Sequence, residues 1–263
     1  MRVLATNSIR MQADTDLSDD AVLGGRLRLL QPRRGHRFGH DAILLAAAVP
    51  AQAGNHAIEL GAGVGSAGLA LATRVAGLTL TLVEVDPALA SLASENAKRN
   101  GLGERVTARC LDIAAPADAF AAAGLAPASA DIVLTNPPFN DPLRHNASPD
   151  SARRAAHVGG SLTPWLEVAA RLLRHLGSLT LIFRADGLAD VVTLLQPGFG
   201  SITVVPIYPR PDSPAIRIIV GAVKGGRAPL VLRPGFVLND DRGPTADAEA
   251  VLRDGVSLVL SGR

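Results

Sequence analysis

The stretch His56-Ala-Ile-Glu-Leu-Gly-Ala-Gly-Val-Gly-Ser-Ala-Gly68 decides the fold. It reads as an apolar strand that runs into a glycine-rich turn, and an Ala/Leu-rich helical segment follows through Arg74. A strand, a tight glycine turn and a helix N-terminus let the backbone approach a ligand closely and offer it free N–H groups. The stretch therefore predicts a binding turn for a nucleotide-type cofactor.

Two cofactors fit this turn in different registers. The pattern G-x-G-x-x-G that begins at Gly63 is typical of dinucleotide binding, and Glu84 ends the next apolar strand near the distance expected for a ribose-binding acid. The pattern E-x-G-x-G-x-G that begins at Glu59 resembles the S-adenosylmethionine loop of class I methyltransferases, in which the same later acid holds the ribose hydroxyls. The turn alone leaves both cofactors open.

A second motif, Asn136-Pro137-Pro138-Phe139, selects between them. It follows the apolar run 131–135, which is typical of a buried strand. The amide oxygen of Asn136 can accept a hydrogen bond from a planar NH2 group, the proline pair removes two N–H donors, and Phe139 can stack on the flat group. Asn-Pro is also a common turn after a strand. With the glycine turn upstream, however, the motif favours methylation of an exocyclic or amide nitrogen, because a nicotinamide enzyme has no use for it.

Apolar strands alternate with helical segments along most of the chain. The predicted strands lie at 57–60, 79–84, 105–111, 131–135 and 178–183, with helices at 66–76, 87–100, 117–123 and 162–175 between them. This alternation predicts an α/β fold with a mostly parallel sheet covered by helices on both faces. Strands at 201–207 and 215–223 flank a proline-rich turn and are predicted to be antiparallel neighbours.

Ligands of such sheets collect at the carboxyl ends of the strands. Four candidate groups follow successive predicted strands: Gly61–Gly65, Glu84, Asp112 and Asn136. We therefore expect them to converge on one edge of the sheet.

Composition bounds the organisation and the compartment. With 263 residues and 48% hydrophobic content the chain can bury a large core, so we expect one domain at 21–263, with extensions at 21–55 and 225–263 and a flexible tail at 1–20. No apolar run approaches the roughly 18 residues needed to span a bilayer, and the N-terminus carries aspartates in place of a basic and apolar leader. We expect a cytoplasmic protein without membrane contact.

The chain has a single cysteine, Cys110, which we expect to be a small core residue. One cysteine cannot form a zinc cluster of thiolates.

Two segments are candidates for substrate contact. Residues 26–40 carry five arginines and no acid, which suits a phosphate backbone, although only two of the 26 basic residues of the chain are lysine and arginine clusters arise partly from that bias. The segment 140–161 contains three arginines and two histidines and is longer than an ordinary connection, so we interpret it as a substrate or lid loop. RNA is the expected partner, bound through Arg33, Arg34, Arg37 and the 140–161 loop.

These motifs together resemble the N-P-P-[YF] class I methyltransferases, and among them the bacterial tRNA1(Val) adenine-37 N6-methyltransferase family. The phrase Gly35-His-Arg-Phe-Gly-His-Asp-Ala-Ile-Leu-Leu-Ala46 is similar to the N-terminal phrase of that family, and residues 240–255 to its closing helix. His40 stands where the family usually has Thr, and Phe139 where it usually has Tyr. The resemblance implies a Rossmann-like fold with a seven-stranded, mostly parallel sheet and an antiparallel edge strand.

The resemblance also implies a role for each site residue, with S-adenosyl-L-methionine as the cofactor and no metal. Glu84 would bind its ribose and Asp112 its adenine amino group, Glu59 would hold its ammonium through water, and Asp41 would face it or only cap its helix. The full predicted cofactor set is Phe38, Asp41, Glu59, Gly61, Gly63, Gly65, Glu84, Asp112 and Asn136. The predicted catalytic set is Asn136, Pro137, Pro138 and Phe139.

Three functions remain open at this point. The favoured one is N6-methylation of adenine in tRNA. The N-P-P-F motif is also similar to that of rRNA guanine-N2 methyltransferases, and N-P-P-Y relatives methylate a glutamine amide in release factors. A binding module that has lost catalysis is the third, against which the intact Asn136 argues.

Overall fold

The computed structural model describes residues 16–34, 37–138 and 162–258. Phe139, the 140–161 loop and residues 1–15 lie outside the described residues. The helices are α1 (His40–Ala48), α2 (Ser66–Arg74), α3 (Pro87–Arg99), α4 (Ala117–Ala122), α5 (Thr163–Leu172), α6 (Leu188–Leu195) and α7 (Ala246–Leu252). The strands are β1 (Leu17–Val22), β2 (Leu27–Pro32), β3 (His56–Leu60), β4 (Thr79–Glu84), β5 (Val106–Cys110), β6 (Ala130–Thr135), β7 (Leu173–Arg184), β8 (Phe199–Tyr208), β9 (Arg217–Lys224), β10 (Val231–Leu232), β11 (Phe236–Val237), β12 (Asn239–Asp240) and β13 (Gly243–Pro244).

The central sheet has the order β10-β8-β9-β7-β6-β3-β4-β5, and β11 also pairs with β8. Strands β5, β4, β3, β6 and β7 lie side by side and run parallel to one another, as the alternation predicts. Strand β9 is antiparallel to both β7 and β8, which confirms the predicted antiparallel neighbours. The antiparallel strand lies inside the sheet and not at its edge, because the β8–β9 hairpin folds back so that β9 inserts beside β7. The two-residue strands β10 and β11 then extend the sheet beyond the predicted seven, and the sequence predicts the first of them as a short strand at 230–232.

Helices cover both faces of this sheet, and β3 shows why. Its side chains alternate, so Ala57 packs into one core cluster with α1 and α2, while Ile58 and Leu60 pack into the other with α5 and α6. All three residues are fully buried. Burial on both faces agrees with a strand whose sequence is nearly continuously apolar.

The flexible tail predicted at 1–20 extends too far along the chain, because residues 17–20 belong to strand β1. Strand β1 pairs with β2 in an antiparallel hairpin. Two of the aspartates that suggest a tail are ion-pair partners here: Asp19 contacts Arg28 at 3.3 Å and Arg99 at 2.7 Å, and Asp20 contacts Arg37. The hydrogen bond from Arg99 is the main cause that lowers the pKa of Asp19.

The prediction for Cys110 is also wrong, since this residue is exposed. It ends β5, which is an edge strand of the central sheet in the described part of the chain, so one side of this strand has no neighbouring strand. Trp165 on α5 is buried.

Candidate functional site

A cavity of about 930 Å³ lies at the carboxyl ends of the parallel strands. Its volume is typical of a site for a small molecule or cofactor. The predicted cofactor residues that line it are Phe38, Asp41, Glu59, Gly61, Gly63, Glu84, Asp112 and Asn136. Pro137 and Pro138 line it as well. The convergence that the strand order predicts is therefore present in the structure.

The glycine turn forms the floor of this cavity. Gly61 and Gly63 have φ values of +70° and +55°, a backbone region that side chains rarely adopt. The N–H groups of Gly61 and Ala62 both donate to the carbonyl of Val83, which fixes the turn against the end of β4. The backbone is thus exposed to the cavity without any Cβ atom at the two glycines.

Gly65 differs from the other predicted glycines because it does not line the cavity. It is the N-cap of α2, with φ +87°, and a Cβ atom there would lie 3.0 Å from Leu82 and 3.1 Å from Leu69. The close packing of α2 against the sheet therefore explains why position 65 is a glycine. Spacing alone does not separate a glycine needed for packing from one that meets a ligand.

The carboxylate of Glu84 is held at the end of β4 by two backbone donors. Its Oε2 accepts the N–H of Gly63 at 2.8 Å, and its Oε1 accepts the N–H of Asp86 at 2.9 Å. The residue is 8% exposed and lines the cavity. A carboxylate oxygen has lone pairs beyond one such bond, so this acid can still accept hydrogen bonds from the hydroxyls of a ligand.

Glu59 lies deeper, at the end of β3. Its Oε2 accepts the N–H of Gly68 at 2.7 Å, and the residue is 3% exposed. Burial raises the pKa of Glu59 to about 8, the hydrogen bond from Gly68 opposes this rise, and the charge of Glu84 adds to it. A cation bound in the cavity would favour the ionised form of this acid.

Two further acids line the cavity from other elements. Asp112 follows β5, and its Oδ1 accepts the N–H of Ala114 at 2.8 Å. Asp41 lies in the first turn of α1, where its Oδ2 accepts a hydrogen bond from Nε of Arg217 at 2.8 Å. Asp41 does not cap α1, because the N-cap position is Gly39. The capping alternative for Asp41 is therefore wrong.

Asn136 leaves the end of β6 and reaches the cavity beside the two prolines. Its Oδ1 is buried and has no hydrogen-bond partner among the described residues. Buried acceptors are almost always satisfied, so an exception in a cavity wall calls for an explanation. Pro137 is buried and Pro138 is exposed, and neither can supply an N–H group to this oxygen.

Sequence reasoning missed one wall of the cavity. Arg184 ends β7 and Arg217 begins β9, and the two are direct partners in the antiparallel ladder. Each arginine has an acid beside it: Arg184 contacts Asp186 at 2.9 Å, and Arg217 contacts Asp41. The position of Arg184 at the carboxyl end of a parallel strand is the signal that would have found it.

The three arginines predicted to meet RNA have different surroundings. Arg37 contacts Asp20 at 2.9 Å and also donates to Ser18 and to the carbonyl of Pro32, so it helps to hold the β1–β2 hairpin. Arg33 and Arg34 are exposed. Both precede the cavity-lining segment that starts at Arg37.

The described ranges contain neither a metal-binding cluster nor a membrane-spanning helix. No group of three or more His, Cys, Asp or Glu side chains within 16–34, 37–138 and 162–258 is arranged to hold a metal ion. Within the same ranges, every helix is too short or too polar to cross a bilayer.

Comparison with known proteins identifies the fold and the chemistry. The methyltransferase small domain family matches residues 37–207. A tRNA1(Val) (adenine(37)-N6)-methyltransferase of Dickeya chrysanthemi is 26% identical over 225 residues, which cover 83% of this chain and 87% of that protein. A release factor glutamine methyltransferase of Chlorobaculum tepidum is 29% identical over 163 residues, which cover 59% of this chain and 54% of that protein. The crystal structure of a predicted O-methyltransferase of Agrobacterium tumefaciens is 26% identical, covers 83% of this chain and 98% of its own, and superposes with a TM-score of 0.71.

The cofactor of this enzyme class, S-adenosyl-L-methionine, fits the residues of the cavity. The backbone at Gly63, where a Cβ atom would meet nothing within 4 Å, leaves room for close approach, and the fixed carboxylate of Glu84 suits a pair of ribose hydroxyls. The carboxylates of the wall outnumber its arginines even without Glu59, whose pKa is raised, and this suits a cofactor with a sulfonium and an ammonium group: Asp41, Glu84, Asp112 and Asp186 against Arg37, Arg184 and Arg217. This protein is therefore an S-adenosyl-L-methionine-dependent enzyme, and its chain belongs to the methyltransferase small domain family.

Proposed function

We propose that the enzyme methylates the exocyclic amino nitrogen, N6, of an adenine in tRNA. The observation that carries the proposal is the Oδ1 atom of Asn136, a buried acceptor in the cavity wall with no partner among the described residues. Leaving such an atom unsatisfied costs roughly 1–3 kcal/mol, so its presence is best explained by a donor that the substrate brings.

An amino group of a base is the donor that this site suits. Its nitrogen is a poor nucleophile because the lone pair is delocalised into the ring. The Oδ1 of Asn136 and the carbonyl of Pro137 would accept the two amino hydrogens and so favour a pyramidal nitrogen with a directed lone pair. The absence of N–H groups on Pro137 and Pro138 keeps competing backbone donors away from these oxygens.

Bound S-adenosyl-L-methionine supplies an electrophilic methyl group on its sulfonium. The task of the protein is then to orient the amino nitrogen and to exclude water. No residue has to remove a proton before transfer, because the nitrogen becomes acidic only when it is methylated. Phe139, next in the sequence after Pro138, would stack on a base turned out of its helix.

The choice of tRNA rests on two supports of different kinds. The relative from Dickeya chrysanthemi is named for adenine in tRNA, and the chain spans 87% of its length. Arg33 and Arg34 offer two exposed guanidinium groups next to the segment that enters the cavity, where a phosphate backbone could pass. A tRNA substrate would place the enzyme in the cytoplasm.

A second candidate acceptor is the side-chain amide of a protein glutamine. The similarity to a release factor glutamine methyltransferase favours it, although the chain spans only 54% of that relative. A glutamine amide presents the same planar NH2 group as adenine, so Asn136 and Pro137 would serve either acceptor. The acceptor has to be distinguished by experiment.

The deciding experiment is transfer of labelled methyl from S-adenosyl-L-methionine to unmodified tRNA, to rRNA and to a release factor, followed by nucleoside and amino-acid analysis. We expect N6-methyladenosine in tRNA. Label in guanine or glutamine would overturn the substrate, and label on oxygen would overturn the role of Asn136. Absence of label with the cofactor bound, as measured by calorimetry, would contradict catalysis and favour an RNA-binding module.

A further inference from the structure

Asn96 on α3 joins three separate segments of the chain. The residue is fully buried. Its Oδ1 accepts the N–H of Leu30 at 2.8 Å, and its Nδ2 donates to the carbonyl of Leu30 at 3.0 Å and to that of Val64 at 3.1 Å. The side-chain amide thus pairs with β2 as a neighbouring strand would, and its other hydrogen reaches the glycine turn. Both amide hydrogens are used, so no other residue type of this size makes the same set of bonds.

The bond to Val64 determines how the glycine turn closes. A peptide group is planar, so fixing the Val64 carbonyl also fixes the direction of the Gly65 N–H. That N–H donates to the carbonyl of Ala62 at 2.8 Å. The Val64–Gly65 peptide is therefore held on both sides, by Asn96 and by the turn itself.

The conformation of the glycine turn also positions groups that line the cofactor cavity. Gly63 lies between Ala62 and Val64, and its N–H donates to Oε2 of Glu84. A rotation of the Val64–Gly65 peptide would move Gly63 and remove one of the two donors that hold the Glu84 carboxylate. Both Gly63 and Glu84 line the cavity, while Asn96 does not.

We propose that Asn96 is a positioning residue for cofactor binding, which couples the β1–β2 hairpin to the glycine turn. The hairpin reaches the cavity by a second route as well. Gln31 of β2 is 2% exposed, and its Oε1 accepts the backbone N–H of Phe38, which lines the cavity. The hairpin is thus a support of the cofactor site. This proposal does not depend on which acceptor is methylated.

Asn100 provides a matched control one helical turn further along. Its Oδ1 accepts the N–H of Arg28 at 2.9 Å, and its Nδ2 donates to the carbonyl of Arg28 at 2.7 Å and to that of Asn96. It therefore pairs with the same strand by the same two bonds. Its second amide hydrogen, however, bonds to a carbonyl of α3, whereas that of Asn96 bonds to a carbonyl of the glycine turn. If loss of hairpin support alone weakened cofactor binding, variants of both asparagines should show it.

The experiment compares Asn96→Asp with Asn100→Asp. An aspartate keeps an acceptor for the strand N–H but has no hydrogens to donate. For Asn96→Asp we expect the dissociation constant of S-adenosyl-L-methionine, measured by calorimetry, to rise about tenfold, since a buried carbonyl in the turn loses its donor. For Asn100→Asp we expect a smaller fall in melting temperature, because Asn100 is half-buried whereas Asn96 is fully buried, and a dissociation constant within about twofold of the wild type, because only the strand clamp is removed. Equal weakening by both variants, or none by Asn96→Asp, would overturn the proposal.

Hydrogen exchange adds a measurement whose result would stay unchanged if Asn96 had only a structural role. Because coupling between two sites is reciprocal, bound cofactor should slow amide exchange in β2 of the wild type and of Asn100→Asp, but not of Asn96→Asp. If Asn96→Asp does not fold, Asn96→Ser removes the same bonds without a charge and is compared with Asn100→Ser. Failure of both Asn96 variants to fold, with both Asn100 variants folded, would show a structural role and refute the proposal.

Discussion

Gly61 and Trp165 lie in contact at the cavity wall, so that a Cβ atom on Gly61 would lie 2.7 Å from Cη2 and 2.8 Å from Cζ3 of the indole. Trp165 is 4% exposed and belongs to α5, which packs on the opposite face of the sheet from α2. The only tryptophan of the chain thus fills the space that the missing side chain of Gly61 leaves. The close approach of backbone to indole makes Gly61 sensitive to the smallest substitution.

Gly61→Ala should destabilise the protein more than Gly63→Ala. Gly63 is the matched control, because its φ is also positive and a Cβ there would meet nothing within 4 Å. We expect Gly63→Ala to lower the free energy of unfolding by about 1–2 kcal/mol from backbone strain alone. Overpacking against Trp165 should add about 1–3 kcal/mol for Gly61→Ala. Thermal unfolding without cofactor measures both, and equal losses would mean that the indole moves aside freely.

Much of this site follows from local sequence because its parts are local. The strand, glycine turn and helix at 56–74 are contiguous, and the carboxyl ends of parallel strands meet by topology, so Glu84, Asp112 and Asn136 could be placed at one edge. The orphaned Oδ1 of Asn136 could not be foreseen, because it depends on what surrounds the side chain in three dimensions.

The missed features depend on contacts between distant residues. The sequence of strand β1 is typical of an acidic tail, because its ion pair between Asp19 and Arg99 joins residues 80 positions apart in the sequence. The hairpin is clamped by Asn96, whose bonds to Leu30 span 66 residues. Arg217 lines the cavity only because β9 inserts beside β7. No periodicity of the chain encodes these pairings.

Glu59 should make stability depend on pH in a defined window. Burial raises its pKa from an ordinary value of 4.5 to about 8, so between these values the folded state holds a proton that the unfolded state has released. The free energy of unfolding contributed by this group should therefore fall as pH rises from 4.5 to 8 and stay constant above 8. Below 4.5 both states are protonated and the contribution is also constant.

Glu59→Gln tests this dependence. The substitution keeps an oxygen for the N–H of Gly68 and removes the ionisable group. We expect the melting temperature of the wild type, relative to that of Glu59→Gln, to fall between about pH 5 and 8 in the absence of cofactor. Parallel curves for the two proteins across this range would show that Glu59 does not titrate there.

Asn136→Ala should separate chemistry from cofactor binding. Removal of a preorganised acceptor typically lowers kcat by about 10²–10³-fold, whereas the predicted cofactor contacts lie mainly at the glycine turn and Glu84. We expect that loss in kcat with nearly unchanged affinity for S-adenosyl-L-methionine, measured by single-turnover transfer and calorimetry. Pro138→Ala is the control, because it keeps Asn136 and adds one N–H beside it, so a smaller loss should result. Comparable loss of transfer and of cofactor affinity on Asn136→Ala would contradict its assigned role.

Arg37 should be left out of any test of RNA binding by the basic segment. It donates to Ser18, Asp20 and the carbonyl of Pro32, so its removal would disturb the β1–β2 hairpin as well as remove a charge. Arg33 and Arg34 are exposed, and their substitution changes charge without removing such bonds.

Arg33 and Arg34, replaced together by glutamine, should weaken RNA binding in a salt-dependent way. Each phosphate that an arginine neutralises releases counterions, so the slope of log affinity against log salt concentration should become shallower by roughly 0.7–0.9 for every phosphate that the variant no longer neutralises. Arg227→Gln is the control, because Arg227 is exposed just beyond Lys224, at the end of β9 opposite to the cavity-lining Arg217. Fluorescence titration of tRNA at several salt concentrations measures the slopes. A double variant with the wild-type slope, or one matched by Arg227→Gln, would show that the basic segment reflects the arginine-rich composition of the chain and does not contact RNA.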